Sequence, residues 1–246
     1  MSNYQLVWHD EFESDGIPDP AKWHYDLGFG CWGNEESQCY TDRPENAFVR
    51  DGRLVILAQK EHCSNAAYTS ARLTTWQKAA WQYGRFEVRA KLPRGFGSWP
   101  AIWMLPPSLH EGGPDWPDCG EIDIMEHVGK DANMIHVSLH SGLYNHMKGT
   151  QPTHSVPLED VAGLFHDYAM EWTPDSIAFR IDDREIARFE KGANGNDRSP
   201  AGWPFDQPFY LILNVTVGGG WGGPIDETCL PFTMEIEHVR VYQIAE

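Results

Sequence analysis

The sequence predicts an all-β protein in which antiparallel sheets pack face to face, and three observations lead there. Short runs alternate apolar and polar residues with a period of two, as in Phe86-Glu87-Val88-Arg89-Ala90-Lys91-Leu92, the pattern of a half-buried strand. Turn residues separate these runs at short intervals. No stretch sustains a long helical period, so the apolar faces must close on one another as a sandwich. At 246 residues the chain reads as a single domain, 1–246, since all-β sandwiches of this length are routinely undivided. No internal repeat and no Ser/Gly-rich or Pro-rich linker interrupts it. Such a chain buries roughly 70–75% of its unfolded surface and needs no disulfide framework.

Taken in order, residues 4–60 read as strands broken by turns. The segment Gly28-Phe29-Gly30-Cys31-Trp32-Gly33-Asn34-Glu35-Glu36 is Gly-rich but lacks the Gly-Lys-Ser/Thr end of a phosphate cradle, so it is a loop carrying aromatic and polar groups. Asp51-Gly52 is a turn that leads into a buried strand, Leu54–Ala58. The run 86–92 places Phe86, Val88, Ala90 and Leu92 inward. Pro93-Arg94-Gly95-Phe96-Gly97 turns the chain, and residues 99–105 resume an apolar strand. Trp99 and Trp103, four apart, share one face of it, as core residues or as walls of a groove. Residues 176–186 form a hairpin, and residues 191–206, rich in Gly, Asn, Asp and Pro, read as a long loop over a groove. Asn214-Val215-Thr216 is formally a glycosylation sequon, but its apolar strand leaves no room for a glycan.

Nineteen Lys and Arg against 36 Asp and Glu give a net charge of −17. That disfavours nucleic acid, whose phosphates demand basic partners, and anionic membranes or sulfated polymers, which it repels. A neutral polymer is indifferent to it. Five cysteines, Cys31, Cys39, Cys63, Cys119 and Cys229, form no Cys-x-x-Cys pair, so zinc-ribbon and thioredoxin chemistry are not expected; one bridge is possible, and spacing does not assign it. No apolar run approaches a membrane span. No basic segment followed by an apolar run opens the sequence; a polymer-directed enzyme is nonetheless expected to be secreted or periplasmic.

The chemistry concentrates in Gly120-Glu121-Ile122-Asp123-Ile124-Met125-Glu126-His127. In a strand Glu121 and Asp123 share a face, whereas Glu126 falls out of phase. One extra residue in a β-bulge, most simply at Met125, returns it to the carboxylate face. Glu121 and Glu126 are then four strand steps apart, roughly 13 Å between Cα atoms. Two inward-leaning Glu side chains close that span towards the 5–5.5 Å separation of a retaining glycosidase. Asp123 between them raises the pKa of whichever carboxyl stays protonated. Three acids on one face otherwise repel, and no dense loop of oxygen ligands surrounds them as in a calcium site. Seven of the eleven histidines lie between residues 110 and 166. His136 and His140 are four apart, but no acid or Cys at a fitting spacing completes a zinc set. The remaining histidines read as surface residues.

Glu-Ile-Asp-Ile-Met-Glu at 121–126 resembles the Glu-x-Asp-x-x-Glu signature of glycoside hydrolase family sixteen, in the bulged form of laminarinase-type endo-β-1,3-glucanases. Residues 6–12, 99–106, 165–168, 171–175, 208–214, 218–223 and 239–242 also resemble that family, in its order, over nearly the whole chain. The resemblance implies a concanavalin A-like β-jelly roll with a concave substrate cleft. It implies a retaining endo-hydrolase in which Glu121 is the nucleophile, Glu126 the acid and base, and Asp123 their tuner. Implied sugar contacts are Trp32, Asn34, Arg72, Trp99, Trp103, Trp116, Asn214 and Trp221, with His140 hydrogen-bonded to the carboxylates. No catalytic cofactor is implied. A structural calcium is, from carbonyls and a side chain at positions matching Glu11, Gly52 and Glu237, with Glu where the family has Asp. The expected partner is a β-1,3-glucan, the protein a monomer. Rival expectations are a mixed-linkage or galactan hydrolase, a transglycosylase, and a non-catalytic glucan-binding protein.

Overall fold

The computed structural model describes residues 3–193 and 198–245, without the side chain of Cys31. In chain order its strands are β1 Tyr4–Asp10, β2 His24–Tyr25, β3 Gln38–Tyr40, β4 Ala47–Arg50, β5 Arg53–Cys63, β6 Ala66–Ser70, β7 Arg72–Thr74, β8 Gly84–Lys91 and β9 Ser98–Leu105. They continue as β10 Glu121–Glu126, β11 Met134–His140, β12 Thr153–Pro157, β13 His166–Trp172, β14 Ser176–Ile181, β15 Arg184–Glu190, β16 Tyr210–Val217 and β17 Phe232–Ile244. Two sheets result. One has seven strands in the order β12-β11-β10-β9-β16-β7-β2; the other has the order β15-β14-β13-β8-β17-β5-β6-β3, with β1 on β17 and β4 on β5. Every pairing is antiparallel except β3 on β6, which run parallel.

The core lies between the sheets and follows from the alternation. Phe86, Val88, Ala90 and Leu92 are all buried, as are Leu54, Ile56 and Ala58. Val55 and Leu57 remain partly open, so that strand is buried on one face only. Facing them are Ile102 and Met104 of β9, Ile135, Val137 and Leu139 of β11, and Leu211, Leu213, Val215 and Val217 of β16. Turns follow their residue types. Asp51 and Gly52 take φ of 52° and 72° between β4 and β5, and Asp182 and Asp183 take 47° and 62° between β14 and β15. Two successive positive φ values are the hairpin geometry whose twist matches the strands.

The long loop departs from expectation. Among its described residues none lines the cleft, and Trp203 and Phe205 sit in the core at 4% and 1% exposure. Their apolar area outweighs the loop's polar composition. Phe205 accepts the Trp172 indole N–H at 3.2 Å. Pro204 packs over Gly120, where a Cβ would come within 2.7 Å of the proline ring at a φ of 91°; only glycine fits immediately before β10. Two histidines also depart from the surface reading. His127 and His166 are buried, each ring bonded through Nδ1, to the Met134 carbonyl at 2.8 Å and to Asp182 at 2.7 Å. Cys39, Cys63, Cys119 and Cys229 are free thiols.

Candidate active site

β10 carries the bulge. Asp123 pairs with Trp103 and Met125 with Ile102 on β9, while Asp123 pairs with Ser138 and Glu126 with His136 on β11. One more residue is therefore spent on β10 than on either neighbour. The consequence is visible in the side chains: Ile124 and Met125, consecutive in sequence, both enter the core at 2% and 0% exposure. A bulge forfeits about one ladder hydrogen bond, roughly 0.5–1.5 kcal/mol. Burying a Met side chain returns roughly 1.5–3 kcal/mol, so the irregularity is favoured. Glu121, Asp123 and Glu126 then line one cleft of about 410 Å³ on the outer face of the seven-stranded sheet.

A second cavity of about 270 Å³ adjoins it, and Glu121, Glu126, Trp99 and Asn34 line both. The acids thus stand at the junction of a groove that continues to either side. Trp32, Arg72, Trp103, Trp116 and Asn214 line the first part; His136, His140 and Trp221 line the second. Every substrate residue expected from sequence is brought to this groove.

Indoles hold the two outer carboxylates. Trp116 Nε1 donates to Glu121 Oε2 at 3.1 Å, and Trp99 Nε1 donates to Glu126 Oε1 at 3.0 Å. His140 lies opposite Glu121 on β11, its Nε2 3.2 Å from Asp123 Oδ2 and 3.7 Å from Glu121 Oε1. Burial pushes all three acids up to about 8, and repulsion from Asp123 adds to the rise at Glu121 and Glu126. Groups this close titrate as one set. The asymmetry lies in the cations: His140 lowers both Glu121 and Glu126, whereas Arg72 lowers Glu121.

Arg72 is fixed by Asp26, Nε to Oδ2 at 2.9 Å, and its guanidinium lies 4.7 Å from the Trp103 ring centre and 5.0 Å from that of Trp32. Trp99 meets Trp221 edge-on at 5.4 Å. Asn214 is 4% exposed and its amide is committed within the protein. Oδ1 accepts from Trp103 Nε1 at 2.7 Å, and Nδ2 donates to Tyr40 at 3.2 Å and Thr216 at 3.1 Å. Its place is to support Trp103.

Sequence reasoning missed Glu36. This buried acid lines the cleft and gathers the side chains beneath it. Gln38 Nε2 donates to it at 2.6 Å, Thr216 Oγ1 at 3.2 Å, and Asn34 Nδ2 at 3.4 Å. Burial raises its pKa against these donors. The only local signal was an acid in an aromatic, polar loop.

At two of the three positions expected to hold calcium, the carboxylates are engaged by arginines. Arg240 grips Glu11 in a fork, both contacts 2.8 Å. Arg89 Nε donates to Glu237 Oε2 at 2.8 Å, and Arg53 lies 3.6 Å from its Oε1. Both carboxylates already face guanidinium groups, so the one side-chain ligand the site would need is engaged elsewhere, while a divalent cation needs free oxygens.

Fold and site together define a carbohydrate-cutting enzyme whose open groove is lined by three carboxyl groups. The comparisons agree. The model of Glycosyl hydrolases family 16 matches residues 34–235, and the chain belongs to that family. A protein named Beta-glucanase from Rhodothermus marinus is 48% identical over 248 residues, covering 99% of this chain and 87% of that protein. The structure of the laminarinase of Rhodothermus marinus superposes with a TM-score of 0.96 at 48% identity, over 100% of both chains. That of SCLam, described as a non-specific endo-β-1,3(4)-glucanase, superposes at 0.92 and 43% identity, over 100% of this chain and 93% of that one. The fold is accordingly the β-jelly roll of that family.

Proposed function

We propose that the protein is a retaining endo-hydrolase of β-1,3-glucan. One observation carries it: Glu121 and Glu126 stand where two stretches of one groove meet, so a polymer can pass beyond the acids on both sides and be cut within its length. The Arg72 cation, which lowers Glu121 and not Glu126, favours the ionised form of Glu121. Burial lifts Glu121 and Glu126 alike to about 8, so the coupled set holds a proton at neutral pH, and Glu126, which lacks the Arg72 cation, is the carboxyl assigned to keep it.

Glu121 attacks the anomeric carbon as Glu126 gives its proton to the departing glycosidic oxygen. A covalent glycosyl-enzyme forms. Glu126, now ionised, takes a proton from water, whose oxygen displaces Glu121 and leaves a β reducing end. Asp123, buried between them, keeps the two titrations coupled. Trp32, Trp103 and Trp116 offer ring faces and edges to pyranoses, and Asn34 and Arg72 offer donors to hydroxyls.

Proton NMR of early laminarin products is expected to record β ends first. Alpha ends first would mean inversion, and no new ends a binding protein. Mixed-linkage glucan is the second reading, supported by the likeness to SCLam; initial rates on laminarin, lichenan and curdlan separate the two. A sulfated galactan is disfavoured, because Arg72 is paired with Asp26 and Lys148 with the Gly142 carbonyl. A glucan polymer meets its enzyme outside the cytoplasm, and we place the protein there, secreted or periplasmic. With Glu11 and Glu237 held by arginines, excess EDTA is expected to leave Tm unchanged; a fall on chelation, restored by calcium, would reinstate the ion.

A further inference from the structure

We infer that Glu121, Asp123 and His140 form a chelating site for a borderline divalent metal ion such as Zn²⁺, which blocks the enzyme by capturing its nucleophile. Each offers one ligand atom, and the three lie within 4.8 Å of one another. His140 Nε2 is 3.2 Å from Asp123 Oδ2 and 3.7 Å from Glu121 Oε1. A tetrahedral Zn²⁺ with bonds of about 2.0–2.1 Å holds its ligand atoms about 3.3–3.4 Å apart, and the two observed spacings bracket that edge.

A second observation is independent of the clustering. Asp123 is 2% exposed, yet its Oδ2 makes no well-formed hydrogen bond, its contact being the 3.2 Å approach of His140 Nε2. His140 Nδ1 is likewise unpartnered, so only the acids themselves act on the ring, and a metal ion would displace the Nε2 proton that faces them. Once that proton is displaced, the Nε2 lone pair faces the acids. Sequence spacing hid this set because its histidine comes from β11, directly across from Glu121.

Glu121 and Asp123 border the groove, so an ion enters from the cleft and keeps water in its fourth position. It would occupy a lone pair of Glu121. It would also set positive charge beside the anomeric carbon, where positive charge develops in the transition state. The blocking rests on Glu121 being the nucleophile; the binding does not.

Calorimetric titration of ZnCl₂ into the Glu126→Ala variant, which keeps all three donors, is expected to find one site. A saturating laminari-oligosaccharide should weaken it. His140→Gln and the isosteric Asp123→Asn should each lower Zn²⁺ affinity by roughly 10–100-fold or more, with near-UV circular dichroism recording the fold of each. His136→Gln should leave the affinity alone, although His136 Nε2 lies 3.3 Å from Asp131. With the intact enzyme, Zn²⁺ should inhibit laminarin hydrolysis competitively, and EDTA should reverse it. Affinity untouched by His140→Gln and Asp123→Asn, or by the oligosaccharide, overturns the site. Binding as described without inhibition overturns instead the role given to Glu121.

Discussion

Replacing Glu121 by Ala is expected to lower kcat on laminarin by on the order of 10⁵–10⁶-fold, the scale on which a serine protease loses its nucleophile. No neighbour can substitute. Asp123 is buried and turned towards His140, and Glu126 is held by Trp99 across the groove. The truncation leaves a space large enough for a small anion, and Glu126 still protonates the leaving oxygen. Azide should therefore restore turnover by direct attack on the face opposite the leaving group, yielding an α-glycosyl azide. Stability should not fall with activity: a buried acid whose folded pKa of about 8 lies above its unfolded value near 4.3 binds its proton more tightly when folded. Its contribution is full below the unfolded pKa and is lost as pH rises through about 8. Removing it should raise Tm relative to the parent more at pH 8 than at pH 4. Parent-level activity in this variant, or rescue giving the β-azide, would sink the assignment.

Glu126→Ala should cost less, roughly 10²–10⁴-fold for laminarin, the range for a general acid and base. An activated aryl glycoside, whose leaving group needs little protonation, should still form the glycosyl-enzyme. Azide would then attack that intermediate and give the β-glycosyl azide, the opposite anomer from the Glu121 variant. The pH profile separates the roles further. With Glu126 required in protonated form, kcat/KM should fall as pH rises through about 8, the value to which burial lifts this carboxyl. The variant should lose that alkaline limb. If it survives, another group is the acid.

Much of this was legible in local pattern. The alternation at 86–92 predicted which side chains of β8 enter the core, and Phe86, Val88 and Ala90 do. The phase error between Asp123 and Glu126 predicted an extra residue, because carboxylates on both faces of a core strand would bury one acid in apolar surroundings. Ile124 and Met125 resolve it by both entering the core, with Ile124 rather than the expected Met125 left out of the pairing with β9. The acids, the indoles and the groove were recoverable because strand periodicity and residue chemistry act over a few residues.

What local pattern could not supply were contacts between residues far apart in sequence. Glu36 takes the hydroxyl of Thr216, 180 positions away, and Glu11 takes Arg240, 229 positions away. His140 meets the acids across neighbouring strands, and the polar-looking loop sends Trp203 and Phe205 inward. By itself the amino-acid order determined a β-sandwich carrying three acids on one bulged strand, because side-chain alternation is a property of the backbone. Which partner each buried polar group found was decided only when the sheets closed, because a buried hydrogen bond is selected by proximity in space and by the cost of leaving it unmade.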